Sequence, residues 1–364
     1  MNKIRVLVVD DSTVIRRLLT DSLSSDPLIE VVGTAAHGRI ALAKIPQLNP
    51  DVITLDMEMP EMDGIETLVE IRKLYPKLPV VMFSTLTERG ATATLDALAK
   101  GANDYVTKPA NVGSVSVAMQ RVREEMIPRL KSLCPSAVAA GTAAPKRIVP
   151  RASANGKRAL RRIDAVVIGS STGGPNALQE IIPRLPADFP VPILAVQHMP
   201  PIFTRHLADR LNHLSQLTVT EANHGDPVHA GGVWIAPGDF HMKLARVGNE
   251  VQVHLDQGIP ENSCRPAVDV LFRSAHSLYG GNLLAVVLTG MGQDGTRGCE
   301  PIQASGGQIL IQDEASSVVW GMPAAVHRAG LETSIQPLSH IASEIDRLAT
   351  NSNRTRLTGA LACR

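Results

Sequence analysis

A glycine-rich turn near the middle of the chain holds the first residues that could do chemistry. The stretch "AVVIGSSTGGPNALQEII" is an apolar, strand-like run followed by the turn Gly169 to Pro175 and a helical pattern. Gly169, Ser171 and Gly173 match G-x-S-x-G, in which small neighbours allow a sharp turn that exposes the serine hydroxyl as a nucleophile. A single match leaves two other interpretations open, a hairpin turn and a phosphate-binding turn before a helix. The turn has neither G-x-G-x-x-G spacing nor a Gly-Lys-Ser/Thr end, which argues against a dinucleotide fold and a P-loop.

The second half of the chain also carries candidates for the base that a serine nucleophile needs, since its hydroxyl alone reacts poorly at neutral pH. Among eleven histidines, His198 directly follows the apolar run "VPILAVQ", and His241, after "APGDF", is the second candidate. Asp294 lies in the turn "TGMGQDG" after another apolar run, where a carboxylate would orient the base. Backbone N–H groups around Met291 in that turn are suited to stabilise an oxyanion. Taken singly, these residues also fit structural roles as surface histidines or turn formers.

A second set of charged residues follows the apolar runs of the first half of the chain. Asp10 and Asp11 come after "RVLVV", Asp56 after "DVITL", and Lys108 after "DYVT". Carboxylates brought together repel each other unless a cation compensates them, and their hard oxygens suit Mg²⁺. A lone aspartate after a strand is more often a turn former or helix cap, so the Mg²⁺ site depends on the set as a whole.

Parallel sheets are the elements that would position both sets. Short apolar runs alternate with amphipathic stretches over residues 3–125, and a second such series begins at Ile163. This alternation predicts an α/β fold: an N-terminal, flavodoxin-like doubly wound domain, a linker, and a C-terminal doubly wound, mainly parallel domain. Paired runs from Val233 to Leu255 predict a hairpin excursion inside the second domain. In such sheets the carboxyl ends of the strands converge on one crevice, where the candidate residues would meet.

The domain bounds follow from these patterns and from composition. The stretch "CPSAVAAGTAAPKRIVPRASANGKRAL" has small residues, proline and basic side chains without a helical or strand period, which is typical of a linker. The predicted segments are residues 1–125 for the first domain, 126–160 for the linker, 161–350 for the second domain and 351–364 for a polar tail.

Composition limits the partners and the compartment. The chain has 364 residues, is 44% hydrophobic and carries a formal net charge of +1, so long-range attraction favours neither nucleic acid nor an anionic membrane. Its four cysteines lie far apart, which predicts neither a zinc site nor a disulfide framework and fits a reducing, cytoplasmic compartment. No apolar stretch is long enough to span a bilayer. We therefore expect a cytoplasmic protein that is not membrane-inserted and has no nucleic-acid partner.

The first domain closely resembles the receiver domain of two-component response regulators. The resemblance rests on "VVDDS", "LDMEMPEMDG", "VVMFS" and "DYVTKP", in this order. It implies that Asp56 accepts a phosphoryl group from a phospho-histidine kinase, as a bistable switch. The implied Mg²⁺ ligands are Asp11, Asp56, the main-chain carbonyl of Glu58 and, through water, Asp10. The implied switch residues are Ser84, where many receivers carry Thr, Lys108, which pairs with the phosphoryl oxygens, and Tyr105, which changes rotamer.

The turns "GSSTGGP", "QHMPP" and "TGMGQDG" resemble the catalytic domain of the chemotaxis response-regulator protein-glutamate methylesterase family. The resemblance implies that Ser171 is the nucleophile, His198 the general acid/base and Asp294 the residue that orients it, with the Met291 N–H in the oxyanion hole. "ENSCRPAVDVLF" also resembles a family segment, and Arg265 within it is expected to border the site.

The family resemblance also implies substrates, partners and regulation. The substrates would be glutamate methyl esters on the cytoplasmic helices of chemoreceptors, hydrolysed with release of methanol, and particular receptor glutamines, deamidated to glutamate. A chemotaxis histidine kinase would be the phosphodonor, the esterase reaction would need no cofactor, and a monomer is expected. In the family, the unphosphorylated receiver covers the catalytic cleft and phosphorylation relieves the cover.

A non-enzymatic output remains open on the residues alone. In this alternative the second domain binds a nucleotide or protein partner through "GSSTGG". A DNA-binding output is a weaker third possibility, given the near-neutral charge. Covalent labelling of Ser171 by a phosphonylating probe would separate an esterase from either alternative.

Overall fold

The computed structural model describes residues 3–109, 114–135 and 162–361, with only the backbone path described for 351–361. The chain divides into two compact units, Met1–Arg158 and Ala159–Arg364. Residues 136–160 of the predicted linker lie outside the described residues.

The first unit is a five-stranded sheet with the strand order β2-β1-β3-β4-β5, in which all neighbours are parallel. Its three central strands are apolar runs buried on both sides, as a sheet covered by helices on both faces requires. The strands are β1 Ile4–Val9, β2 Ile29–Ala35, β3 Val52–Asp56, β4 Val80–Ser84 and β5 Asp104–Thr107. The helices are α1 Thr13–Leu23, α2 Gly38–Leu48, α3 Gly64–Leu74, α4 Glu88–Ala99 and α5 Val115–Leu133.

Helix α5 extends beyond residue 125, where the sequence places the end of the first domain. Val122, Met126 and Leu130 are buried at a spacing of four residues and pack in one apolar core with α1 and the sheet. This continuous apolar stripe keeps the helix on the core until Leu133. Residues 126–133 therefore belong to the first unit, and the predicted linker begins too early.

The second unit is a seven-stranded sheet with the order β14-β13-β12-β6-β7-β9-β8, again with parallel neighbours throughout. Its strands are β6 Ala165–Ser170, β7 Ile193–Gln197, β8 Thr218–Glu221, β9 Gly232–Ile235, β12 Leu283–Val287, β13 Gln308–Gln312 and β14 Ser334–Gln336. Its helices are α6 Gly174–Ile181, α7 Phe203–Leu214, α8 Val268–Tyr279, α9 Thr296–Ala304, α10 Met322–Arg328 and α11 Leu338–Leu361. Both sheets confirm the predicted α/β fold class.

The predicted hairpin excursion is present but starts later than expected. Strands β10 His241–Val247 and β11 Glu250–Asp256 form a separate antiparallel pair. Val233, where the prediction began, belongs to β9 and pairs in parallel with β7. Helix α11 reaches Leu361, so the segment predicted as a polar tail is helical over residues 351–361.

The strand order places three turns side by side. Strand β6 lies between β12 and β7, and the register pairs Gly169 with Val287 and Ser170 with Gln197. Because all three strands are parallel, the residues that follow them emerge at the same edge of the sheet. Within the described ranges, no helix is both long and apolar enough to cross a bilayer.

Candidate active site and phosphorylation site

The turn after β6 presents one serine and buries the other. The Ser170 hydroxyl is fully buried and donates to Oε1 of Gln197 at 2.7 Å. Ser171 is half-buried, and its backbone N–H donates to the carbonyl of Thr289 at 3.0 Å. Gly173 then adopts a left-handed conformation with φ of 78° at the start of α6, which favours glycine. The accessible hydroxyl of this turn is therefore that of Ser171.

His198 and Asp294 meet directly. His198 follows β7, and its Nε2 lies 2.8 Å from Oδ2 of Asp294. The Asp294 side chain is almost fully buried at 2% exposure, so the carboxylate depends on protein partners. Those partners are the backbone N–H groups of Val268 at 2.7 Å, Asp269 at 2.9 Å and Gly295 at 3.0 Å, and the side-chain amide of Asn262 at 2.9 Å.

The contact between His198 and Asp294 shifts the pKa of each residue in the direction that favours its charged form. Burial by itself lowers the pKa of His198, but the hydrogen bonds to Asp294 and Cys264 outweigh it and raise this pKa to about 10. Burial also works against the Asp294 carboxylate, yet the His198 contact and the backbone N–H groups bring its pKa below the ordinary value. Both shifts favour the charged forms, an imidazolium next to a carboxylate.

Only one nitrogen of His198 is available for proton transfer with the serine. Because Nε2 is taken by Asp294, this role falls to Nδ1. In the described part of the chain, Nδ1 faces Sγ of Cys264 at 3.6 Å and forms no hydrogen bond with Ser171. Contacts between a nucleophile and its base often form fully only when substrate binds.

The turn after β12 packs closely against the nucleophile turn. A Cβ atom at Gly290 would lie 2.9 Å from Cβ of Ser171 and would overlap Sδ of Met322. The Gly290 carbonyl accepts from the Met322 N–H at 2.8 Å, which fixes the backbone at this point. Among the described residues, the Met291 N–H has no hydrogen-bond acceptor, as a donor kept for an oxyanion requires.

The second histidine candidate is excluded by its contacts. His241 is buried, its Nε2 lies 3.1 Å from the carbonyl of Ile259, and its Nδ1 accepts from the Ala267 N–H at 3.3 Å. Both ring nitrogens of His241 are therefore occupied by hydrogen bonds to the backbone. Arg265 is also engaged, since its guanidinium binds Asp239 and donates to the carbonyl of Gly258 at 3.0 Å.

Three residues that contact the site were not singled out from the sequence. Asn262 bridges two buried carboxylates, because its amide donates to Asp294 and, at 3.0 Å, to Oδ2 of Asp269. Burial and the nearby Asp294 raise the pKa of Asp269 to about 6. Cys264 reaches His198. The available signal was a short polar cluster, "ENSC", before the start of a buried helix.

The charged residues of the first unit form a compact cluster. Carboxylate oxygens of Asp10, Asp11 and Asp56 lie within 4.8 Å of one another. Lys108 Nζ lies 2.7 Å from Oδ1 of Asp56 and 3.1 Å from Oδ2 of Asp10. That Asp10 oxygen is buried and, apart from this ion pair, has no hydrogen-bond partner among the residues that the structure describes. Three hard oxygens with one unsatisfied buried member fit a Mg²⁺ ion.

The buried carboxylates of the cluster repel one another. Burial, reinforced by the nearby Asp10, raises the pKa of Asp56 to about 6, although the Lys108 contact opposes this shift. The pKa of Lys108 is also raised, because its contacts with Asp56 and Asp10 outweigh burial. A second cation beside Lys108 would relieve the repulsion between the carboxylates.

The other residues predicted at the phosphorylation site, Ser84, Tyr105 and Glu58, have different surroundings. The Ser84 hydroxyl donates to the Gly90 carbonyl at 3.2 Å and accepts from Thr94 at 2.8 Å, so it points into the start of α4. Tyr105 is buried, which raises the pKa of its hydroxyl. Glu58 lines the same cleft as Asp11 and Asp56. The roles of Ser84, Tyr105 and Glu58 stay predictions.

Comparison with known proteins finds a matching family model in each half of the chain. The family model of the response regulator receiver domain matches residues 6–120, and that of CheB methylesterase matches residues 166–345. A relative from a Nocardioides species is 53% identical over 100% of both chains. A relative from Trichodesmium erythraeum is 52% identical over 95% of this chain and 99% of its own length. Both are named protein-glutamate methylesterase/protein-glutamine glutaminase.

A solved structure resembles the second unit. The crystal structure of the Thermotoga maritima CheB methylesterase catalytic domain is 46% identical and covers 51% of this chain and 98% of its own, with a TM-score of 0.50. The high identity over nearly the whole length of the relatives extends the likeness to both units. The chain therefore belongs to the CheB methylesterase family, with a response regulator receiver domain preceding its catalytic domain.

Proposed function

We propose that this chain hydrolyses glutamate methyl esters on chemoreceptors and deamidates particular receptor glutamines, through Ser171, His198 and Asp294. The observation that carries the proposal is the 2.8 Å contact between His198 and Asp294 at a sheet edge that also presents the accessible Ser171. Relatives that share about half of the residues are named for the same two reactions.

The acylation step follows from the site. His198 first loses its Nδ1 proton, and Nδ1 then takes the proton of the Ser171 hydroxyl as the oxygen attacks the ester carbonyl. The tetrahedral oxyanion accepts from the Met291 N–H. Collapse breaks the bond to the methoxy oxygen, which takes the proton from Nδ1 and leaves as methanol. Asp294 holds the Nε2 proton throughout and stabilises the transient imidazolium.

The second half of the cycle regenerates the enzyme. Nδ1 takes a proton from water, whose oxygen attacks the glutamyl ester on Ser171. Collapse of this intermediate returns the proton to the Ser171 oxygen and releases the receptor carboxylic acid, which then loses its proton to solvent. With a glutamine substrate the leaving group is ammonia instead of methanol, and the same oxyanion forms, so one site serves both reactions.

Regulation is assigned to the cluster of the first unit. Asp10, Asp11 and Asp56 would hold Mg²⁺, which neutralises the charge of the transferred phosphoryl group. The Asp56 carboxylate would accept that group from the phospho-histidine of a chemotaxis kinase, and Lys108 would pair with its oxygens. Ser84 would leave the Gly90 carbonyl to bind the same oxygens. We assign to this change the control of receptor access to Ser171.

Methanol release from methylated receptor membranes tests the activity. Ser171→Ala should abolish release, whereas Ser277→Ala, which alters an exposed helix serine, should release methanol like the wild type. A phosphoramidate donor with Mg²⁺ should raise release in the wild type and leave Asp56→Asn unchanged. Unchanged release by Ser171→Ala would remove the central assignment.

The binding-only alternative makes a different prediction. A domain that merely binds a partner through its glycine-rich turn would show no covalent labelling of Ser171 by a fluorophosphonate. The esterase should be labelled at the peptide that holds Ser171, and His198→Gln should slow this labelling strongly. The family membership gives no support to the alternative.

A further inference from the structure

The His198 nitrogen that must exchange a proton with Ser171 already has a hydrogen-bond partner. Nε2 of His198 is committed to Asp294, so Nδ1 is the atom that exchanges a proton during the reaction. In the structure Nδ1 faces the half-buried thiol of Cys264, with 3.6 Å between nitrogen and sulfur. This distance is within the range of a hydrogen bond to sulfur. The catalytic base is therefore held from both sides of its ring.

The position of the thiol is set by a tight turn over Glu261–Cys264. The two backbone hydrogen bonds between Glu261 and Cys264 measure 3.1 and 2.9 Å, and the two central residues have φ values of 53° and 62°. Both central residues are thus left-handed, as in a type I′ turn. Glu261 is anchored to Arg273 by two contacts of 2.8 and 2.5 Å. The turn is consequently braced at its first residue.

The same turn holds the other half of the catalytic pair. Its residue Asn262 donates to Asp294 at 2.9 Å and to Asp269 at 3.0 Å. A single four-residue turn thereby contacts the carboxylate through one side chain and the imidazole through another. Cys264 is not an isolated thiol near a histidine, because the amide that fixes Asp294 also fixes the turn that carries the sulfur.

The other cysteines in the described ranges have different surroundings. Cys134 and Cys299 are buried in apolar cores, where a thiol acts as a small hydrophobic side chain. Cys264 instead meets an ionisable ring. A thiol both donates and accepts, so it can donate to Nδ1 when His198 is neutral and accept from Nδ1–H when His198 is protonated.

We propose that Cys264 is a positioning residue for the esterase reaction, whose thiol keeps Nδ1 of His198 aimed at the nucleophile turn in both protonation states of the ring. The proposal rests on the function assigned to Ser171 and His198 above. Ser171 takes over the Nδ1 contact when substrate binds. Cys264 itself touches neither the ester nor the attacking oxygen.

Two substitutions separate this role from simple packing. Cys264→Val keeps a similar volume but neither donates nor accepts, whereas Cys264→Ser keeps both capacities in a smaller group. We expect Cys264→Val to lower kcat/KM for methanol release about tenfold, because the free enzyme loses the hydrogen bond that holds the His198 ring ready for Ser171. Cys264→Ser should retain most of the activity. If packing alone mattered, the order of the two variants would be reversed.

The pH profile gives a readout that a structural role would not move. The titratable groups that face the His198 ring are Asp294 and Cys264, with Asp269 behind Asn262. Since the Cys264 contact raises the pKa of His198 in the free enzyme, Cys264→Val should move the acid limb of kcat/KM to lower pH. Cys264→Ser should leave the limb near its wild-type position. Ser263→Gly is the matched control, because it alters the same turn and preserves its left-handed backbone.

A measurement without substrate tests the role of Cys264 independently of the proposed esterase function. Imidazole NMR titration of the full chain reports the pKa of His198 directly, and this pKa should be lower in Cys264→Val than in the wild type. A kcat/KM and a His198 titration that match the wild type in Cys264→Val would overturn the proposal. If the wild type releases no methanol but the NMR shift occurs, the assigned function fails while the Cys264 contact stands.

Discussion

Gly290 lies against Ser171 so closely that no side chain fits between them: a Cβ atom at residue 290 would be 2.9 Å from Cβ and 3.1 Å from the backbone nitrogen of Ser171. This contact joins the turn after β12 to the turn after β6. It sets the distance between the nucleophile and the Met291 N–H that would bind the oxyanion. The two functional groups are therefore positioned by a backbone contact.

Gly290→Ala should separate these two turns. A displacement of about 1 Å at a reacting centre lowers rates by roughly a hundredfold, so we expect a loss of that order in kcat for methanol release. The added methyl group would also press on Met322, and a lower melting temperature should accompany the loss.

The control is a glycine in open space. Gly248 lies in the β10–β11 hairpin with φ of 60°, and a Cβ atom there meets nothing within 4 Å. Gly248→Asn suits this left-handed position and should keep wild-type activity. Wild-type kcat in Gly290→Ala would show that the close contact is unimportant for catalysis.

Asp294→Asn should remove the partner that keeps the proton on Nε2 of His198. An amide that presents N–H to Nε2 would force the proton onto Nδ1, where Ser171 needs a free electron pair. We expect kcat to fall by roughly 10⁴-fold, the size seen when a triad carboxylate is replaced by its amide.

The control for Asp294→Asn lies on the first turn of α8. Asp269→Asn alters a neighbouring buried carboxylate that does not contact His198, so its effect on kcat should be far smaller. Pre-steady-state labelling of Ser171 by a fluorophosphonate measures the nucleophile without a receptor substrate. Equal labelling rates in Asp294→Asn and the wild type would contradict the assigned role.

The raised pKa of His198 predicts that activity and stability respond to pH in opposite ways. Catalysis needs a free electron pair on Nδ1, so kcat/KM should rise as the pH increases toward the His198 pKa of about 10. A folded-state pKa above the unfolded value stabilises the protein fully below pH 6.5, and this stabilisation is lost as the pH rises through about 10. Thermal unfolding and methanol release over the same pH series measure both trends.

His198→Gln serves as the reference for the stability trend. The variant should lose stability relative to the wild type at pH 6, and the difference should shrink toward pH 10.5. A difference that is constant across this range would mean that the stabilisation does not depend on the charge of His198.

Asp56→Asn should stabilise the chain at neutral pH in the absence of Mg²⁺. The folded-state pKa of about 6 exceeds the ordinary value of 3.8, so the ionised carboxylate destabilises the folded state. This cost is absent below pH 4, develops between pH 4 and 6 and persists above. The gain in melting temperature should accordingly be present at pH 8 and disappear at pH 4.

Magnesium supplies the control for Asp56→Asn. The ion should stabilise the wild type at pH 8 by compensating the three carboxylates, and its effect on Asp56→Asn should be weaker. Asp63→Asn offers a matched substitution of an acidic helix cap outside the cluster, and its response to Mg²⁺ should equal that of the wild type. An equal Mg²⁺ response in all three proteins would place the ion elsewhere.

The sequence was most informative about candidate residues that come just after a strand. Ser171, His198 and Asp294 each follow an apolar run, and the carboxyl ends of parallel strands must share one edge of a sheet. The same argument brought Asp10, Asp56 and Lys108 together. Local pattern therefore located these candidate residues, since strand ends can be read from hydrophobicity and turn residues, whereas their roles were inferred from the family resemblance.

The sequence was less informative about element ends and about residues outside this pattern. Helix α5 passes residue 125 because Val122, Met126 and Leu130 still face the core, a stripe that the basic and small residues beyond it obscured. Asn262 and Cys264 sit in a short irregular turn, where no periodicity predicts which way a side chain points.

By itself, the sequence determined the α/β fold, the two domains and the candidate residues, because apolar periodicity and turn chemistry are local properties of the chain. Only the tertiary structure decided that β6 lies between β12 and β7, that His241 serves the backbone, and that Nδ1 of His198 is the nitrogen left for Ser171. These features depend on strand order and on contacts between segments distant in the chain. No local pattern encodes such contacts, since they arise only when the whole core is packed.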